Sequence, residues 1–131
     1  MTDRKLLLAT TNPGKTQEIR ILLQDLPIQI HSFIDTPPRS VFPENGKTFM
    51  ENARGKGLAY SRNWDDLTLT EDSGLEIASL EEAPGVFSAR FAGPESTDED
   101  NIDKVLSLMR DIPMAERNSR FVSCLVLARK G

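Results

Sequence analysis

Leu6-Leu7-Leu8-Ala9-Thr10-Thr11-Asn12-Pro13-Gly14-Lys15 is the stretch on which the fold turns. The apolar run from Lys5 to Thr10 suits a strand buried within a sheet. Asn12 is a good helix N-cap, and Pro13 a good first helical residue, where its missing N–H leaves nothing unbonded. Beyond it Ile19, Leu22, Leu23 and Leu26 recur at i, i+3, i+4 and i+7, which predicts an amphipathic helix over about residues 13–25. A strand, a hydroxyl-rich turn and a helix N-terminus bearing a lysine can bind phosphate, because the free N–H groups and Lys15 both present positive charge. An ordinary β–α turn is the plainer reading. A nucleotide P-loop is excluded: Gly14-Lys15-Thr16 matches its end, but Ala9 stands where its first glycine belongs, and Pro13 removes a donor.

Reading outward, Ile28-Gln29-Ile30-His31-Ser32-Phe33 alternates as a second strand, and Thr36-Pro37-Pro38 opens a loop that carries Glu44. A helix over residues 47–62 puts Phe49, Ala53 and Tyr60 in one narrow arc, with Lys56 inside it. An ammonium there either snorkels to water or meets an anion in a cleft. Leu67-Thr68-Leu69-Thr70 alternates as a half-buried strand that is expected to end on Glu71-Asp72 and break at a Ser73-Gly74 turn, with a further strand near 75–80. Two hard oxygen ligands at a sheet edge suit Mg²⁺ shared with a substrate phosphate; a solvated acidic turn is the alternative. Glu44 adds a third carboxylate, and three carboxylates with two lysines suit metal-assisted chemistry on a nucleoside triphosphate.

In the last third, Gly85 and Gly93 bracket an irregular segment, and Ser96-Thr97-Asp98-Glu99 fits a capping box. Ile102, Val105, Leu106 and Met109 form the stripe of a third helix, whose acidic Asp98-Glu99-Asp100 start matches the macrodipole. Phe121–Ala128 is nearly continuous in apolar character, the pattern of a strand covered on both faces. Alternating strands and helices give an α/β fold with a mixed sheet and flanking helices. Arg90 is read as ordering its loop rather than reaching a phosphate, and Trp64 as a packing residue.

The chain has 131 residues, as expected of one domain over 1–131, and a net charge of −4 from 16 basic and 20 acidic residues. That balance argues against a nucleic-acid partner bound by bulk positive charge. No stretch reaches the ~18 apolar residues of a membrane span, and the N-terminus has no signal-peptide pattern, so a cytoplasmic protein without a membrane partner is expected. The lone Cys124 excludes an intrachain disulfide, and the lack of a His/Cys cluster argues against zinc.

Four segments now stand in order: Leu8–Lys15, Thr48-Phe49-Met50-Glu51-Asn52-Ala53 with Lys56, Glu71-Asp72-Ser73-Gly74-Leu75, and Ala83–Gly93. With them the chain closely resembles the inosine triphosphate pyrophosphatase family, the Ham1-like non-canonical purine nucleoside triphosphate pyrophosphatases. The resemblance implies two lobes around a central cleft, usually in a homodimer. It also implies Mg²⁺-dependent hydrolysis of ITP, dITP or XTP to the monophosphate and pyrophosphate. Carried across, Thr10, Thr11, Asn12 and Lys15 would hold the triphosphate, with Lys56 a second phosphate contact and Ser73 a substrate contact. Glu44, Glu71 and Asp72 would organise Mg²⁺, and Asp72 would be the base for the attacking water. Glu71 replaces the Asp found in many members.

Family members also carry a later Gly-Phe-Gly-Tyr-Asp segment and a Lys followed by Ser-His-Arg, associated with the base. This chain ends at Gly131 without them, and neither His31 nor Tyr60 can stand in. The resemblance therefore implies a C-terminally incomplete domain that keeps the phosphate and metal half of the site. Weak or absent hydrolysis, poor selectivity between ITP and ATP, and self-association are expected. Two alternatives stand beside it: a catalytically silent nucleotide-binding or dimerising remnant, and a Maf-like nucleotide pyrophosphatase.

Overall fold

The computed structural model describes residues 4–131. Its strands are β1 (Arg4–Leu8), β2 (Ile28–Ser32), β3 (Leu67–Ile77), β4 (Ala83–Pro84) and β5 (Ser119–Ala128). Its α-helices are α1 (Pro13–Leu22), α2 (Phe49–Ser61) and α3 (Asp98–Leu108), with short 3₁₀ turns at Ala78–Leu80, Gly85–Arg90 and Met114–Glu116. Parallel and antiparallel pairings both occur, so the sheet is mixed and the expected α/β class holds. The chain divides into two compact units.

The first unit comprises the chain up to Asn45, Met50–Glu71 and Leu125–Gly131. In it β1 lies between β2 and β3, parallel to both, with Leu8 opposite Ser32 on one side and Leu69 on the other. Pairing satisfies both edges of such an inner parallel strand, and where its two faces are covered as well it reads as a continuous apolar run. Leu6, Leu7, Leu8 and Ala9 are accordingly buried. The start of β1 is fastened by Asp66, which accepts from Lys5 N at 2.9 Å and pairs with Arg4 at 3.1 Å. Helix α2 is locked to β3 by Thr70 Oγ1, which donates to Ala53 O at 2.6 Å in a buried setting. A Cβ at Gly57 would lie 2.8 Å from Val126 Cγ1, so the Val126 side chain of β5 packs directly onto the α2 backbone there.

The second unit comprises Gly46–Phe49 and Asp72–Cys124. Here the later part of β3 pairs antiparallel with β4, Glu76 opposite Pro84 and Ile77 opposite Ala83. The connecting turn places Glu81 and Glu82 at positive φ, and the Ala83–Pro84 peptide is cis. Leu75 N donates to Ser88 Oγ, which in turn donates to Gly85 O at 2.6 Å. Buried Asn101 fastens the segment after that turn. Its Oδ1 accepts from Ala92 N and Ser96 Oγ, both at 2.8 Å, and its Nδ2 donates to Ala89 O. Arg90 lies over the Phe87 ring, 5.1 Å from its centroid, a loop-ordering contact.

Several expectations need correction. β3 does not break at Ser73-Gly74; it continues for eleven residues to Ile77. Gly74 serves close approach rather than a turn, since a Cβ there would lie 2.4 Å from Ser88 Oγ and 2.6 Å from Gly85 O. The capping box of α3 is formed one residue later than its sequence signal, by Thr97 and Asp100. α1 ends at Leu22, short of the expected residue 25, so Leu26 lies beyond it, and the apolar stripe is only partly covered, with Leu22 74% and Leu26 51% exposed. β5 is not covered on both faces either: Phe121, Leu125 and Leu127 stand exposed while the alternate residues are half-buried.

Two outcomes are expected. Gly74→Ala puts a methyl against a backbone carbonyl and should cost about 1–3 kcal/mol in urea unfolding; unchanged stability would show that the Gly85–Arg90 turn yields freely. The Lys5 amide bonded to Asp66 holds that carboxylate below its usual pKa, so its contribution is present above the ordinary carboxylate range and is lost as pH falls through the depressed value. Asp66→Ala should therefore lower the urea midpoint at neutral pH, with the difference from the parent chain closing in strong acid.

Candidate functional site

The turn after β1 builds the first part of the site. Thr10 Oγ1 accepts from Asn12 N at 3.1 Å, which bends the chain into α1. Asn12 Oδ1 then accepts from Gly14 N at 2.9 Å and from Lys15 N at 3.2 Å, and Thr16 Oγ1 donates to Asn12 O. The side-chain oxygen of Asn12 is thus committed to capping, and what it offers outward is its amide nitrogen. Thr11 is exposed at the turn and Thr10 half-buried. The cap aims Lys15 along β3, where its Nζ lies 2.8 Å from Glu71 Oε1.

The second part comes from α2 and the loop before it. Lys56 is buried, and its Nζ donates to Glu71 O at 2.5 Å and pairs with Glu44 Oε1 at 2.5 Å. Of the two sequence readings of Lys56, the ammonium takes the inward one. A buried ammonium demands this, because an unpaired charge removed from water is costly. The loop bearing Glu44 is clamped to the same helix at two points. Phe42 N donates to Tyr60 Oη at 2.9 Å, and the Phe42 ring sits against Gly55 so closely that a Cβ there would lie 2.7 Å from it.

The result is a line of contacts, Glu44–Lys56–Glu71–Lys15, all within the first unit: two ion pairs, Glu44 with Lys56 and Glu71 with Lys15, joined where Lys56 donates to the main-chain carbonyl of Glu71. Glu71 Oε1 is buried, and despite the nearby ammonium no donor is aligned on it as a hydrogen bond. It is charge-compensated but not saturated. Asp72 is buried and follows Glu71 on β3, so strand alternation sends the two side chains to opposite faces, Asp72 with Thr68 and Thr70, and Glu71 with Ser73. Adjacency in sequence thus becomes opposition in space. Among the described residues no group of three or more His, Cys, Asp or Glu side chains is arranged to hold an ion by itself. Mg²⁺ rarely requires such a cage, since it is usually held by one or two carboxylates plus substrate phosphates and water. The hard, unsaturated oxygen of Glu71 and the half-exposed Glu44 carboxylate fit that mode.

Sequence reasoning missed Tyr60, which it assigned to a core stripe. The ring does pack, edge-on to Phe33 at 5.0 Å, but the hydroxyl anchors the Glu44 loop. Only the 18-residue pairing with Phe42 reveals this, and no local pattern encodes it. Trp64 packs as expected, its ring 5.1 Å from that of His31. A cavity of about 360 Å³ lies behind the Glu44 loop between Phe33, Phe42, Tyr60 and Trp64, but Lys15, Lys56 and Glu71 do not line it.

If Tyr60 anchors the loop, Tyr60→Phe should cost about 0.5–1.5 kcal/mol and speed hydrogen exchange at the Phe42 amide. Undiminished protection of that amide would show that the ring alone holds the loop.

A sequence model described as the Ham1 family matches residues 6–131. A dITP/XTP pyrophosphatase of Desulforamulus reducens is 42% identical over 124 residues, covering 95% of this chain and 62% of the relative. One from Halalkalibacterium halodurans is 40% identical over 126 residues, covering 96% and 65%. Among solved structures, a HAM1 protein from Coxiella burnetii superposes with a TM-score of 0.84 at 35% identity, over 96% of this chain and 64% of that one. The chain thus spans just under two thirds of the length of these relatives.

Proposed function

The chain belongs to the Ham1 family, and from that premise we propose that it serves Mg²⁺-dependent hydrolysis of non-canonical purine nucleoside triphosphates. The substrates are dITP, XTP and ITP, and the products the monophosphate and pyrophosphate. The observation that carries the reading is the line Glu44–Lys56–Glu71–Lys15 at the capped N-terminus of α1. It joins cations for phosphate oxygens to hard anions for a metal in one place. The relatives named dITP/XTP pyrophosphatase support the choice of substrate.

In this reading Lys15 and Lys56 bind the polyphosphate, helped by Thr10, Thr11 and the outward amide of Asn12, with Ser73 a further substrate contact. Charge-assisted bonds of this kind are roughly twice as strong as neutral ones. Of the three carboxylates expected of the metal set, Glu71 and Asp72 face opposite sides of β3 and would not share one ion; Glu44 and Glu71 are the residues that would hold Mg²⁺, which when bound would neutralise phosphate charge and make water a better nucleophile, and Asp72 is kept for the role of base. Asp72 accepts the proton of the attacking water, whose oxygen forms a new bond to phosphorus. The anhydride linking the first and second phosphates breaks, and pyrophosphate leaves. The reading includes a homodimer in the cytoplasm. Exposed Ile102 and Leu106 on α3 support self-association, and no helix among the described residues is long and apolar enough to cross a membrane.

Asp72→Asn tests the assignment. The amide keeps the shape but cannot take the proton, so pyrophosphate release from dITP should fall roughly 10²–10⁴-fold while the circular dichroism spectrum is preserved. Turnover near that of the parent chain would overturn the role of Asp72.

A further inference from the structure

Glu71 and Glu44 do not wait open for a metal. Each already carries an ammonium: Lys15 on Glu71 at 2.8 Å and Lys56 on Glu44 at 2.5 Å. We infer that Lys15 and Lys56 determine which form of cation the site accepts, excluding free divalent ions and admitting metal only together with a polyphosphate. The inference rests on the function proposed above and deepens it.

The argument is one of charge. A divalent ion approaching Glu71 or Glu44 alone meets a positive group within contact distance of the oxygen it needs, and like charges a few ångströms apart repel strongly wherever water is partly excluded. The pairs are partly shielded in this way, Lys15–Glu71 more evenly than Lys56–Glu44: side-chain exposure is 27% for Lys15 and 13% for Glu71, and 11% for Lys56 and 38% for Glu44. A polyphosphate changes the balance, because its oxygens offer each lysine a new anionic partner. Lysine stems are flexible, so an ammonium can move to a phosphate without rearranging the backbone. The carboxylates it leaves are buried or half-buried anions in need of a cation. Metal and polyphosphate are then coupled through the lysines, each lowering the cost of admitting the other. The missing alignment at Glu71 Oε1 agrees with this, since Lys15 compensates its charge without saturating its lone pairs.

Mn²⁺ serves as the probe, because its free aquo ion gives an electron paramagnetic resonance signal that is lost on binding. The parent chain with Mn²⁺ alone should bind weakly. Lys15→Met and Lys56→Met should each bind Mn²⁺ alone at least tenfold more tightly, although each has lost a residue of the site. A second change, Glu71→Gln in the Lys15→Met background, should abolish the gain. In EDTA, dITP affinity should fall about tenfold or more in either lysine variant, as expected for a lost charge-assisted contact. Lys15 is the more exposed lysine, so its variant decides the question if Lys56→Met unfolds. Mn²⁺ affinity unchanged or weaker in Lys15→Met overturns the inference, whatever dITP does. Failure of the parent chain to bind dITP with Mn²⁺ overturns the functional reading instead, and the metal-only comparison stands apart from it.

Discussion

The buried ammonium of Lys56 is the constraint around which the first unit is organised. An unpaired charge at that depth would be costly enough to threaten a domain of ordinary stability. It must therefore be met from both sides, by the Glu71 carbonyl of β3 and by the Glu44 carboxylate of the preceding loop. Meeting the first fixes α2 against the strand, where Thr70 and Ala53 add a second bond. Meeting the second requires the loop to fold back over α2, where Tyr60 and the ring of Phe42 hold it. Helix, strand and loop are in this sense placed by one charge.

The parts of the fold most legible in the sequence are those where local chemistry and tertiary role coincide. In β1 an apolar run becomes a strand flanked on both sides, and in Asn12-Pro13 a capping preference becomes an actual cap. Legibility fails where one residue type has two uses. Gly74 looks like a turn because glycine usually marks one, but here it makes room for the backbone of Gly85. Apolar patterning misleads in another way. It reports which residues prefer burial, and the exposed Leu22, Phe121 and Leu127 show that preference alone does not supply a neighbour.

The candidate site divides along the same line. Lys15, Lys56, Glu44 and Glu71 could be named from residue type and position, and the structure brings them together. Their mutual pairing was not legible, because it depends on loop closure and on the side to which a strand turns each side chain. Glu71 and Asp72 make the point: neighbours in the sequence, they are set on opposite faces by a strand that runs on where a turn was expected. Tyr60 shows the reverse case, a residue whose ring was predictable and whose hydroxyl was not.

The Gly55-Lys56-Gly57 triplet has one more consequence. Two glycines in a thirteen-residue helix cost roughly 1 kcal/mol each relative to alanine, so α2 is a poor helix in isolation. It exists because Phe42 presses on one glycine and Val126 on the other. Its folding is therefore tied to the loop and to β5, and local melting of α2 would dismantle the Lys56 contacts with Glu44 and Glu71 along with the packing. Occupancy of the site and survival of the fold then draw on one cooperative unit, and whatever binds there should register as resistance to heat.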